Sequence, residues 1–232
     1  MISAVAVVVP VHDEEATLAD CLTAVEASLQ HAREARTGLR TSVVVALDAC
    51  TDASARLLPP GVVRVDLAAR TVGLARAVGV ERALAGFVGT ASDEIWIAST
   101  DADSVVPREW VAHHLALADG GADVVVGPVR PPLDDLSPER ARAWLGRFVP
   151  GLATGHVHGA NLGIRADVYR SAGGYAPMVE HEDVDLVAAA RAAGARVVAT
   201  ADAPVLTSAR LVGRTPGGYA RYLREDLGSV TS

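Results

Sequence analysis

The sequence predicts an α/β domain: a mostly parallel central sheet flanked by helices. Through the first half, short β-branched runs alternate with longer Ala-rich stretches of helical periodicity, the pattern of strands joined by crossover helices. Half of the 232 residues are apolar, enough to bury a sizeable core. No internal repeat, low-complexity tract or linker divides the chain, which points to one domain over 1–232.

Strands are expected near 4–9 (AVAVVV), 42–47 (SVVVAL), 62–65 (VVRV), 94–99 (EIWIAS) and 123–127 (DVVVG). Helices are expected near 14–36, 52–58, 73–88 and 107–119. In the third, Ala77, Val80, Leu84 and Phe87 recur at spacings of three and four and stripe one face. Pro107 is placed to open the fourth at its first turn. After residue 127 the texture changes. A Pro- and Asp-rich connection, VRPPLDDLSPER, leads to a helix around Trp144 and Phe148, then to the Gly- and His-rich PGLATGHVHGANLGIR. A helix over 182–194, striped by Leu186, Val187, Ala190 and Ala193 and ended by Gly194, a strand near 196–199 and a helix near 216–227 complete the chain.

Composition removes several chemistries. All 21 basic residues are arginine, so no lysine is present for a Walker-type phosphate loop, a Schiff base or an amine nucleophile. A net charge of −7 argues against a general nucleic-acid surface, and any bound phosphate must meet a local arginine or a metal. Cys21 and Cys50 lie in no metal-binding or disulfide framework, which fits a cytoplasmic chain. The apolar start, MISAVAVVVP, has only strand length and no basic flank, and no stretch approaches ~20 uninterrupted apolar residues, so no integral membrane segment is expected.

The chemistry-bearing residues fall at strand ends, the edge where open α/β sheets place ligands. The first strand, in VVVPVHDEEATL, stops at Pro10, and the polar turn after it puts His12, Asp13 and Glu14 there. Its bulky acids exclude a dinucleotide fingerprint and serve either a ligand or the first turn of a helix. Asp48 ends the second strand, where a carboxylate can accept a base N–H, whereas Thr51 and Asp52 have a capping task. Arg76 sits near the start of the third helix, where the dipole disfavours a cation, so it holds either a base or phosphate or a surface salt bridge. Gly73 permits a close approach there. Beyond IWIAST come Asp101 and Asp103. Alternation would put both on one side and Ala102 on the other, concentrating charge that a hard cation such as Mg²⁺ or Mn²⁺ would join.

These segments, VAVVVPVHDEEATLADCL, VVVALDACTDAS, TVGLARAVG, STDADSVVP and EHEDVDLVAAARAAGARVV, resemble in order those of family 2 glycosyltransferases of the GT-A fold, over roughly residues 4–199. The resemblance implies the nucleotide-diphospho-sugar transferase fold, with a nucleotide-binding half (1–127) and an acceptor-side half (128–232). It implies Pro10, His12, Glu14, Asp48 and Arg76 for the nucleotide, Asp101 and Asp103 for ribose and metal, and Asp103 as the direct ligand of Mn²⁺ or Mg²⁺. From the ED pair of EHEDVDL it implies Asp183 as base toward an acceptor hydroxyl, with Glu182 beside it. The second-strand motif reads LDACTD where the family more often has DDGSTD, which bears on base identity; uridine is the expected base. The QxxRW motif of the processive polymer synthases is absent.

The resemblance implies transfer from a nucleotide-diphosphate sugar, a UDP-sugar first, to an acceptor hydroxyl, hexosyl in type and inverting in outcome. The acceptor is a small molecule or a glycan, and homodimerisation is left open. His156, His158 and Asn161 could line an acceptor pocket, with one histidine as an added metal ligand, or simply be polar loop. Arg210 and Arg214, in SARLVGRTPGG, could close over the diphosphate or be solvated. Two other functions remain in view: a non-catalytic nucleotide-sugar-binding protein, which would need no acid pair at 182–183, and a sugar nucleotidyltransferase, which would be expected to carry a Gly-rich Arg/Lys phosphate loop after the first strand.

Overall fold

The computed structural model describes residues 1–149, 151–213 and 217–227. Its ten strands are β1 (Ala4–Val11), β2 (Arg40–Asp48), β3 (Val63–Leu67), β4 (Ile95–Ser99), β5 (Ser104–Val105), β6 (Val124–Val126), β7 (Val129–Arg130), β8 (Leu162–Arg165), β9 (Val197–Ala199) and β10 (Val205–Thr207). Its helices are α1 (Leu18–Ala35), α2 (Val72–Leu84), α3 (Trp110–Asp119), α4 (Pro138–Arg147), α5 (Ala166–Ser171), α6 (Glu182–Ala192) and α7 (Tyr219–Arg221). Seven strands form one sheet in the order β3-β2-β1-β4-β8-β6-β9, parallel except for β8, which runs antiparallel to both neighbours. A small second sheet, β5-β10-β7, lies beside it.

The alternation of β1 sorts the core into two layers. Val5, Val7 and Val9 pack with Leu18, Cys21, Val25 and Leu29 of α1 and with Trp110 of α3. Ala4, Ala6 and Val8 face Val80 and Leu84 of α2 and Leu186 and Val187 of α6. The strand runs one residue past Pro10, which pairs with Ala46. The missing N–H costs nothing: the Val8 carbonyl bonds toward the β4 side, Pro10 two residues on faces the same way, and β4 has already ended at Ser99.

Several expected helices are shorter. Residues 52–58 hold one 3-10 turn, Ser54–Arg56, because Pro59 and Pro60 disfavour the helical backbone just before them. The fourth starts at Trp110, with Pro107 in the preceding turn, its carbonyl accepting Trp110 N–H. The final helix is one turn of α7 running into a π turn over Tyr222–Asp226. The segment after α6 turns at Gly194 (φ 87°), as expected, but Ala193 is exposed rather than part of the apolar stripe. Strand β8, at the end of the Gly- and His-rich segment, has no counterpart among the expected strands.

Asn161 is a correction to its acceptor-side assignment. It is 1% exposed, and its Oδ1 accepts the Trp110 indole N–H at 2.8 Å and His114 Nε2–H at 3.2 Å. Its Nδ2 donates to the Pro128 and Ala203 carbonyls. His114 Nδ1 in turn accepts the Trp96 indole N–H at 3.3 Å. Every polar atom of Asn161 is spent on this buried knot, which joins α3, β8 and the loop after β6 and leaves nothing for a ligand.

Burial lowers the His114 pKa to about 4, so the ring is neutral in the native state. The unfolded chain, titrating near pH 6.5, takes the proton first. The stability tied to this ring is full above about pH 6.5 and falls, by up to about 3 kcal/mol, as the pH drops toward 4. Denaturant titrations of the parent and His114→Gln across that range should show the variant with a shallower loss on acidification.

Candidate active site at the carboxyl edge of the sheet

The C-terminal ends of β1, β2 and β4 open on one cavity of about 1090 Å³. Its walls include Pro10, His12, Glu14, Asp48, Arg76, Asp101, Asp103, His156, His158, Glu182, Asp183 and Arg210. Of the sequence candidates, Asn161 stays in the core, and Arg214 falls outside the described residues.

Arg76 is the centre of the charge arrangement. It is 3% exposed, and its guanidinium is ion-paired with Asp101 through Nη2 and with Glu182 through Nη1. The ring of Tyr175 lies 5.8 Å from its carbon, a cation–π contact. A Cβ at Gly159 would overlap the guanidinium, and a Cβ at Gly73 would overlap the Ala176 carbonyl that packs onto the start of α2. The surface salt bridge considered for Arg76 is therefore replaced by a buried three-residue ion network. Glu182 is drawn upward in pKa by burial and held back by Arg76.

Asp101 and Asp103 do face one cavity, but by a turn rather than by strand alternation. β4 ends at Ser99, and Ser104 N–H closes on the Asp101 carbonyl at 3.1 Å. Ala102 drops into the core beside Cys21. Asp103 pairs with Arg210 Nη2 at 2.9 Å, and Arg210 Nη1 reaches both oxygens of Glu14 at 2.7 and 2.9 Å. Arg210 is thus tied into the site rather than left to solvent. Burial and the neighbouring Asp101 charge raise Asp103 to about 6 despite Arg210. Asp101 Oδ2 has no hydrogen-bond partner among the described residues, and Asp103 Oδ1 has only the Ser104 and Thr207 hydroxyls at 3.4 and 3.5 Å. Hard carboxylate oxygens with spare lone pairs and an excess of negative charge fit a divalent cation.

Asp48 has a structural task that its position in the sequence does not reveal. Its carboxylate accepts the N–H groups of Ala69, Arg70 and Thr71 at 2.7–2.8 Å, holding the loop before α2. The Asp48 carbonyl accepts His12 Nδ1–H at 2.7 Å. The acids of HDEE do not open α1. Asp13, at φ 51°, accepts Thr51 and Asp52 N–H, while Glu15 accepts Ala53 N–H and donates its own N–H to Asp52. Two loops are thereby clamped together; Thr51 serves that clamp, and Asp52 serves it while its Oδ1 also accepts Ser54 N–H at 2.9 Å at the start of the 3-10 turn. Asp13, Cys50 and Asp52 bring potential ligand atoms within 4.8 Å, but the carboxylates already accept backbone N–H groups.

At the start of α6 the acids divide their tasks. Glu180 accepts Gly217 N–H at 2.6 Å, Glu182 takes Arg76, and Asp185 is exposed. Asp183 Oδ2 accepts Gly159 N–H at 2.5 Å, and its Oδ1 accepts Val184 N–H at 2.8 Å. His158 is held below its usual pKa by burial and lies 6.2 Å edge-on to Tyr219. Sequence reasoning missed Tyr175, Tyr219 and Trp144, which carry no polar motif; an aromatic in a chain only 4% aromatic was the available signal.

The family model "Glycosyl transferase family 2" matches residues 6–170, ending ahead of α6 and Arg210. A comparison with curated proteins gives no match. Among solved structures, the mannosyltransferase PcManGT from Pyrobaculum calidifontis, in complex with GDP-Man and Mn²⁺, aligns with a TM-score of 0.61 at 21% identity, covering 87% of this chain and 56% of that one. S. aureus TarS 1–349 in complex with UDP gives 0.59 at 15%, covering 89% and 61%. M. tuberculosis glucosyl-3-phosphoglycerate synthase gives 0.51 at 19%, covering 97% and 78%. At these identities the likeness is one of fold, and the chain spans about three fifths of the length of the first two.

Arg76→Ala should cost about 3–5 kcal/mol in urea unfolding, because it strands the buried Glu182 charge. The double variant Arg76→Met with Glu182→Leu should recover much of that loss, since no buried charge is left unpaired.

Proposed function

The chain belongs to glycosyl transferase family 2, and from that premise we propose that it transfers a hexosyl group from a nucleotide-diphosphate sugar, a UDP-sugar first, to an acceptor hydroxyl with inversion. The observation that carries this reading is the placement of Asp183 in the same cavity as Asp101 and Asp103, with Arg76 and Glu182 bridging the two sides. The nucleotide would lie along Pro10, His12, Glu14 and Asp48, at the ends of β1 and β2. A Mn²⁺ or Mg²⁺ held by Asp103 and Asp101 would supply positive charge to the diphosphate.

The chain's own groups account for the rest. Gly159 N–H fixes the Asp183 carboxylate, leaving it to take a proton from the acceptor hydroxyl. The acceptor oxygen forms its bond to the anomeric carbon as the bond to the diphosphate breaks, and the nucleoside diphosphate leaves with the electron pair. Arg210, now occupied by Glu14 and Asp103, is within reach of a departing phosphate and can stabilise its charge. Glu182, committed to Arg76, is a positioning residue rather than the base.

Two measurements test the roles. Asp103→Ala should abolish Mn²⁺-dependent binding of the nucleoside diphosphate in a thermal-shift titration, and an unchanged metal response would remove Asp103 from the ligand set. Asp183→Asn should keep donor binding and lose roughly 10²–10⁴-fold in turnover, the range for general-base catalysis. Glu182→Gln should instead alter stability and donor affinity. Loss of turnover confined to Glu182→Gln would move the base by one residue; loss in neither would favour the binding-protein alternative.

A further inference from the structure

The cavity changes character past Asp183. A third apolar cluster, separate from the two main core layers, is formed by Trp144 of α4 with Leu223 and Leu227. Tyr219 and Tyr222 pack against it, and the Trp144 indole N–H is satisfied by the Tyr219 hydroxyl at 3.2 Å. Phe148 stacks on Trp144 with centroids 4.8 Å apart. Beside this unit much apolar surface is left uncovered: Phe148 is 42% and Leu152 57% exposed, and both line the cavity. Val184, directly after Asp183 on α6, is 43% exposed and lines it too. Apolar side chains therefore line the cavity both beside the carboxylate and at α4.

We propose that the acceptor is an amphipathic alcohol, with its hydroxyl at Asp183 and an apolar body along the wall of Trp144, Phe148, Leu152, Val184 and Tyr222. This rests on the transferase reading above and narrows its acceptor. A cavity of about 1090 Å³ stands at the upper end of small-molecule sites, ~300–1,000 Å³, and its lining takes in both the acidic pair and these apolar residues. A fully hydroxylated glycan would leave the wall wet, whereas an alkyl or aryl body removes it from water. The wall lines the same cavity as the candidate catalytic carboxylate, unlike a remote docking face, and it is shaped in advance by the Trp144–Leu223–Leu227 packing, which lowers the ordering cost of binding.

The position of the tryptophans supplies the readout. Trp96 and Trp110 are fully buried away from the cavity, and Trp144 lines it. Methyl, hexyl and decyl β-glucosides, below their micellar concentrations, are titrated against the parent chain with UDP and Mn²⁺ present, following tryptophan emission. Affinity should rise about 4-fold per buried methylene, with methyl glucoside near the detection limit. Phe148→Ser with Leu152→Ser should flatten that dependence, and Trp144→Phe should remove the emission change. The parent series stands by itself if the double variant fails to fold.

Equal affinities across the series, with a UDP- and Mn²⁺-dependent thermal shift retained, would overturn the amphipathic acceptor and leave the donor reading intact. Tail-dependent binding with no nucleotide response would overturn the acceptor role together with the transferase reading. A dimer in sedimentation that dissociates in the Phe148→Ser/Leu152→Ser variant would make the wall a subunit interface and overturn the proposal. Tail-dependent adsorption to phosphatidylcholine vesicles without saturable binding would assign it to a lipid surface instead, with the same consequence.

Discussion

The buried guanidinium of Arg76 is the constraint around which the site is built. A charge taken out of water is costly unless paired on more than one side, and Arg76 has Asp101 from the end of β4 and Glu182 from the start of α6. Because these partners come from distant parts of the chain, satisfying one cation fixes the geometry of two elements. Asp183 follows Glu182, so its position is inherited from that pairing. Gly159 contributes twice: it leaves space for the guanidinium and donates its N–H to Asp183. The Arg76 Nε is buried without a hydrogen-bond partner among the described residues, so the network is anchored through the two terminal nitrogens.

Arg210 plays the corresponding part on the other side of the acidic pair. It spans Glu14 and Asp103, joining the turn after β1 to the turn after β4. The carboxylates at the sheet edge are thus partly neutralised by protein groups before any ligand arrives. This matters in a chain whose only basic residues are arginines. A planar fork can serve two carboxylates at once with defined direction, where a lysine ammonium would act as a single point charge. A diphosphate that engaged Arg76 or Arg210 would compete with the carboxylates already paired to them, so its affinity there is a difference between two sets of ion pairs.

The two sides of the cavity follow different physics. Toward β1 and β2 the walls are polar, with Glu14 paired to Arg210 and Asp48 holding three amides. Toward α4 the walls are aromatic and aliphatic, supported by a cluster set apart from the main core. Binding at the first is governed by charge and hydrogen-bond geometry and at the second by removal of apolar surface from water. No helix among the described residues is long and apolar enough to cross a membrane.

The amino-acid order alone determined the parallel α/β layout of the first half. Strand alternation and helix periodicity are local properties, and β1 displays both faces of the sheet within eight residues. It also placed Glu14, Asp48, Asp101 and Asp103 at one edge, because parallel strands all end there. Only the tertiary structure decided which of them are occupied and by what. Antiparallel β8 enters between β4 and β6, Asn161 becomes a core knot instead of a ligand, and Arg76 and Arg210 find partners 106 and 196 residues away in Glu182 and Glu14. Such pairings depend on the whole chain closing on itself, and a side chain's periodicity carries no record of the partner that folding brings to it.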